Sequence, residues 1–168
     1  MQVSEEIVSL SAINTTAPYR VSYLANKELV LCFTTIKGLC YAVTFVLDNT
    51  LGIPSMYQLV IEEINQSRAE YDPDVETTLI AIIENFLSTD LHILAFVCDT
   101  SDEREAARHA LFNRWYQRYS RKNLYSKLDG IVNAEGNMFY SSLIYSKNNP
   151  LHETIKSLYI DFIGELQK

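Results

Sequence analysis

Leu91-His92-Ile93-Leu94-Ala95-Phe96-Val97-Cys98 decides the fold. Seven of its eight positions are apolar. Neither face carries the polar alternation of a half-exposed strand, so the run reads as an interior strand covered on both sides. Its single polar residue, His92, is read as a satisfied strand-end histidine in preference to a catalyst. Thr100-Ser101-Asp102-Glu103 follows as a capping box, and Asp102, Glu103 and Glu105 place negative charge at the positive end of the next helix. The pattern predicts that helix over residues 101–121, with late basic residues at its negative end.

Upstream, Asp72 is a cap and Pro73 suits a first helical position, which predicts a helix over residues 73–87 with the stripe Val75, Leu79, Ile82, Ile83 and Phe86. Before it, Tyr19–Leu24, Leu29–Thr35, Leu39–Leu47 and Tyr57–Ile64 read as strands, the last with a short helix as its rival reading. In the third of these, Tyr41, Val43, Phe45 and Leu47 share a face at period two. Downstream, residues 125–133 and 138–146 form a hairpin through Glu135-Gly136-Asn137. After Asn149-Pro150 a closing helix over residues 150–167 lines up Leu151, Ile155, Leu158, Phe162 and Leu166. The expected architecture is a single α+β domain over residues 1–168. A mainly antiparallel sheet of six to eight strands, with a parallel pair around the 73–87 helix, packs on three helices.

With 168 residues, 48 % of them hydrophobic and only four prolines and five glycines, the chain has enough apolar surface for a continuous core. Its apolar runs are too short to span a bilayer, and Met1-Gln-Val-Ser-Glu-Glu6 lacks the basic region of a signal peptide, so a cytoplasmic protein without a membrane partner is expected. Cys32, Cys40 and Cys98 are an odd count in apolar surroundings, and the three histidines fall on separate elements. Neither a disulfide framework nor a metal site is predicted. The glycines are isolated, which speaks against a phosphate-binding loop, and no cofactor is expected.

The net charge of −7 hides a sharp inversion. Residues 62–105 hold twelve acids and two bases, whereas residues 106–127 hold Arg108, Arg114, Arg118, Arg121, Lys122 and Lys127 and no acid. Counting about 100° per residue from Ala107, the residues Leu111, Trp115, Tyr119, Phe112 and Tyr116 span an arc from about 40° to about 180°. Arg104 and Arg108 fall within it, while Arg114, Arg118 and Arg121 flank it and reach water. An inward arginine cannot shed its charge and needs a partner. Asp99, Asp102, Glu62, Glu63 and Asp129 are candidates, as is an anionic ligand held by Arg104 and Arg108 with Asp99 and Asp102 beside them. A divalent ion on Asp99, Asp102 and Glu103, or a thiol–base pair of Cys98 and His109, is weaker on the same residues, because acids are normal at a helix start and His109 projects towards the edge of the arc or to solvent.

The string Cys98-Asp99-x-x-Asp102-x-Arg104-x-x-x-Arg108-x-x-x-Phe112-x-x-Trp115, after an apolar strand and with Tyr41-x-Val43-x-Phe45 upstream, resembles an uncharacterised family of short bacterial proteins found mostly in Bacteroidetes. The similarity covers roughly residues 20–125 and is strongest over 91–115. It implies a bacterial cytoplasmic protein and no particular activity. Three functions follow from the residues. The first is a non-enzymatic protein-interaction or regulatory module, binding another protein or a second copy of itself, with no catalytic residue. The second is nucleic-acid binding through the basic face of residues 108–127, on Arg114, Arg118, Arg121 and Lys122, with Tyr116, Tyr119 and Tyr125 for stacking. The third is an enzyme or binder of a small anion at Arg104 and Arg108.

Overall fold

The computed structural model describes residues 7–25, 30–65, 71–98, 105–119 and 121–166. In chain order the elements are α1 (Leu10–Thr16), β1 (Ser22–Tyr23), β2 (Val30–Thr34), β3 (Cys40–Leu47), β4 (Met56–Glu63), α2 (Pro73–Phe86), β5 (Ile93–Cys98), α3 (Glu105–Arg118), β6 (Tyr125–Ala134), β7 (Asn137–Ser146) and α4 (His152–Leu166). A 3-10 turn at Lys122–Leu124 precedes β6. The seven strands are ordered β1-β2-β3-β4-β5-β7-β6. The pair β4 and β5 is parallel, and the chain between them runs through α2, the long crossover that parallel neighbours need. The other strand pairs with a resolved register, β1 with β2, β2 with β3, β5 with β7 and β6 with β7, are antiparallel.

The α+β class, the mainly antiparallel sheet and the parallel pair agree with the sequence, but among the described residues there are four helices where three were expected. The additional helix is α1, whose seven residues LSAINTT hold only one buried side chain, Ile13. It starts where the Ser9 hydroxyl accepts from the Ala12 amide at 3.4 Å. Two threonines, an asparagine and a serine in two turns give little helix propensity and no stripe, so tertiary contact sets it.

Contacts divide the chain into two compact units, Met1–Phe45 with Val60–Ser88, and Val46–Leu59 with Thr89–Lys168. In the first, Phe33, Tyr41, Val43 and Phe45 are buried at alternate strand positions. Phe45 stacks on Phe86 of α2 with centroids 4.3 Å apart. Leu47, expected on the same face, is exposed. The start of α2 follows the sequence signal, since Asp72 Oδ1 accepts from the Asp74 amide at 2.9 Å and Pro73 is the first helical residue. Asp72 Oδ2 also accepts from the Tyr19 hydroxyl at 2.6 Å.

In the second unit, Ile53, Met56, Ile93, Ala95, Leu143, Tyr145, Ile155 and Tyr159 form one buried cluster. Alternation along β5 therefore turns Ile93 and Ala95 towards α4, and Leu94 and Phe96 to the other face, where Phe96 stacks on Phe112 of α3 at 4.4 Å. The two helices cover opposite faces of β5 between Ile93 and Phe96, whereas Leu91 and Val97, expected to be covered as well, are exposed. The β6–β7 hairpin turns at Glu135 and Gly136, with φ of 52° and 82°. Positive φ at both central residues is the two-residue turn that matches strand twist.

Candidate functional site

The face of the β5-β7-β6 sheet beneath α3 carries a polar grouping built on Lys127, Asp129 and Ser142. Register places Asp129 opposite Ser142 and Lys127 opposite Ile144 on β6 and β7, with Phe96 of β5 opposite Ser142 on its other side. Lys127 and Asp129, two apart on one strand, share a face. They form an ion pair, and the Ser142 hydroxyl donates to the same Asp129 oxygen at 2.6 Å. Ser142 is buried, the Lys127 side chain is 8 % exposed, and the Asp129 side chain keeps 45 % of its surface in contact with solvent.

α3 lies over this grouping through Phe112, Tyr116, His109 and Asn113. Phe112 is 4 % exposed. The His109 ring sits 4.8 Å from that of Tyr140. Lys127 Nζ lies 5.7 Å from the centroid of the Tyr116 ring, a cation–π distance. The Tyr116 hydroxyl points at the carbonyls of Lys122 and Tyr125, at 3.1 and 3.3 Å. Three atoms of this helix, His109 Nδ1, Asn113 Oδ1 and Trp115 Nε1, are buried without a hydrogen-bond partner.

Burial and neighbouring charge set the protonation of the group. Burial lowers the pKa of His109 from its ordinary value; nearby Asp129 opposes the shift and Lys127 reinforces it. Burial pushes the Asp129 carboxyl up, but the hydrogen bonds from Lys127 and Ser142 together outweigh it and leave the pKa below the ordinary value. Tyr116 is raised by burial and then by Asp129. The ensemble at neutral pH is a carboxylate with two donors and a neutral imidazole next to it. With Ser142 buried and donating to the carboxylate, its hydroxyl is a positioning group for Asp129 and is not presented to solvent.

Of the residues singled out by sequence, Asp99, Asp102 and Arg104 lie outside the described residues, as does the capping box. Arg108 belongs to α3, and its side chain is likewise outside the description. Arg114 and Arg118 are exposed on the outer face of α3, and Arg121 is exposed in the turn beyond it. Lys122 is half-buried, and its Nζ donates to the Gln117 carbonyl at 2.9 Å and side-chain oxygen at 3.1 Å. His92 is half-buried with its ring edge-on to Tyr57 at 5.8 Å.

The inward arc of α3 is rotated from the one drawn on apolar residues alone. On the same wheel it centres between Phe112 at about 140° and His109 at about 200°. His109 thus faces the sheet and not the solvent. The signal that could have found this was in β6, where Lys127 and Asp129 alternate with apolar residues and require a polar counterface.

Residues 71–162 match a family model described as a family of unknown function, DUF6169. The chain belongs to DUF6169. The DUF6169 match begins just before α2, takes in β5, α3, β6 and β7, and ends within α4, so it reaches further towards the C-terminus than the span on which the sequence resemblance rested and leaves residues 20–70 of that span, with Tyr41, Val43 and Phe45, outside it. No curated protein and no solved structure matches the chain. Among the described residues no group of three or more His, Cys, Asp and Glu side chains is placed to hold a metal ion, and no helix is long and apolar enough to cross a membrane.

Proposed function

We propose that this DUF6169 chain is a non-enzymatic protein-interaction module of the bacterial cytoplasm, and that it docks its partner at the end of the second unit's sheet where β5 and β6 begin. The observation that carries the reading is the pair Leu91 and Leu124, which are 57 % and 58 % exposed. The register of β5, β7 and β6 extends to set both beside Lys147, whose amide donates to the Leu124 carbonyl at 3.0 Å. Lys147 is itself exposed, and Arg121 and Lys122 stand just before Leu124. Two large apolar side chains rimmed by bases fit an apolar partner surface with an acidic border.

A photo-crosslinking residue at position 91 or 124, introduced in cells of the native host, tests it. The expected result is one discrete adduct that is absent when the crosslinker stands at exposed Ser157 of α4, and that Lys147→Glu weakens. Equal labelling at all three positions would refute the assignment.

A second reading, nucleic-acid binding on the outer face of α3, is favoured by Arg114 and Arg118, exposed one turn apart. It is weakened at Tyr116, whose hydroxyl is engaged and whose ring lies near Lys127, so that this tyrosine is no stacking platform. Retention on single-stranded DNA at low salt that Arg114→Glu with Arg118→Glu abolishes would favour this second reading over the first.

A further inference from the structure

We propose that the outer edge of β6 pairs with the same strand of a second copy of this chain, antiparallel about a twofold axis at Leu128. β6 ends the sheet order and runs for ten residues, whereas β1 at the other end has two. Sheet edges are commonly blunted by shortness, by proline or by a bulge. β1 is short. β6 has no proline, and its register with β7 is unbroken from Tyr125 opposite Ser146 to Ala134 opposite Asn137, which leaves no bulge. Asp129 and Ile131, near its middle, are exposed.

The backbone decides which residues present that edge. The Leu124 carbonyl accepts from Lys147, and the two-residue turn at Glu135 and Gly136 makes Ala134 and Asn137 a hydrogen-bonded pair. Even-numbered residues of β6 therefore bond to β7, and odd-numbered ones, Lys127 and Asp129 among them, turn their N–H and C=O outward. The Tyr125 carbonyl, which accepts from the Tyr116 hydroxyl, follows the same parity. Charge then selects the register. With the axis at residue 127 two lysines meet, and with it at residue 129 two aspartates meet, each a like-charge pair that destabilises a sheet. Axes at residues 126 and 130 set both charges against uncharged residues. With the axis at Leu128, Lys127 faces Asp129 of the second copy and Asp129 faces its Lys127, while Ser126 faces Gly130 and Leu128 faces itself. In that register the outward N–H and C=O of Lys127 and Asp129 also meet each other across the axis. Ile163 of α4 lies against Gly130, so the last turns of that helix stand over the edge strand. Ile160 and Leu166 in those turns, 57 % and 47 % exposed, add apolar surface beside it. Such an isologous contact closes on itself as a dimer. The pairing does not rest on the docking of another protein at Leu91 and Leu124.

Analytical ultracentrifugation of the full chain, carried to high micromolar concentration, is expected to show a monomer–dimer equilibrium; a strict monomer throughout overturns the proposal. Single cysteines under mild oxidation read the register. Leu128 faces itself in a non-hydrogen-bonded pair, where Cα atoms stand about 4.5 Å apart and within disulfide reach, so Leu128→Cys should give a covalent dimer. Asn133→Cys, exposed on the same strand but far from the axis, should give no more than the wild type with its three native cysteines. A folded Leu128→Cys that links no better than Asn133→Cys overturns the assignment. If Leu128→Cys does not fold, Asp129→Asn decides in its place. Losing both cross-strand charge pairs should raise the dissociation constant of the dimer at least ~3-fold, and an unchanged constant overturns the pairing.

Discussion

Glu135 holds a φ of 52° in the β6–β7 turn, a conformation in which an L side chain crowds the following carbonyl at a cost of roughly 1–2 kcal/mol. Asparagine tolerates that region far better, and Asn-Gly is the favoured pair for this turn. Glu135→Asn is therefore expected to stabilise the chain by about 0.5–1 kcal/mol, seen as a higher urea midpoint at unchanged slope. His109 supplies a second test. Its folded pKa lies below the unfolded value of about 6.5, so between the two the unfolded chain takes up a proton that the folded chain does not. The stability tied to a neutral His109 is full above about pH 6.5 and is lost as pH falls through the folded value. Asp129 behaves likewise further down, its contribution present above about pH 3.9 and lost below. Urea midpoints at a series of pH values should show the upper loss reduced in His109→Gln and the lower one reduced in Asp129→Asn. If His109→Gln reproduces the wild-type profile, burial of the imidazole is not what drives the upper step.

Among the elements, α4 and β6 meet at Gly130, where an added methyl would lie 2.5 Å from Ile163 Cδ1 and 2.8 Å from the Tyr159 hydroxyl. Tyr159 is tied to Ser141 and cannot retreat without breaking that bond. Gly130→Ala should then cost about 1–3 kcal/mol, and in combination with Ile163→Ala less than the two single losses added, a coupling that denaturant titration measures. This close approach was invisible in sequence, where Gly130 reads as one isolated glycine in a strand. Elements whose signals are local were legible. Asp72 and Pro73 announced α2, and the apolar run gave β5 its interior place. What was not legible depended on a neighbour. α1 has no stripe of its own, and the inward turn of His109 and Asn113 follows from Lys127, Asp129 and Ser142 on strands that arrive later in the chain. A helical wheel built on apolar residues cannot show that a sheet face is polar.

For the whole molecule, the chain's path makes the matched family segment an incomplete folding unit. The chain enters the second unit at Val46, leaves it after Leu59 and returns at Thr89. Residues 46–59 thereby contribute Ile53 and Met56 to the buried cluster, and Met56, Tyr57 and Gln58 of β4 pair with Ile93, Leu94 and Ala95. The DUF6169 match begins at residue 71 and contains none of residues 46–59. Residues 71–162 alone would leave β5, an apolar strand, with one bare edge, a template for intermolecular pairing. They would also leave an apolar gap where Ile53 and Met56 sit, each such loss costing roughly 2–5 kcal/mol against a total stability of about 5–15 kcal/mol. The fragment is expected to lack a cooperative thermal transition and to aggregate as concentration rises, while the full chain melts sharply. Circular dichroism with light scattering on the fragment and on the full chain checks this. A fragment that melts cooperatively and stays monomeric would mean that α2 and the β6–β7 hairpin suffice, and that Ile53 and Met56 are dispensable to the core they occupy.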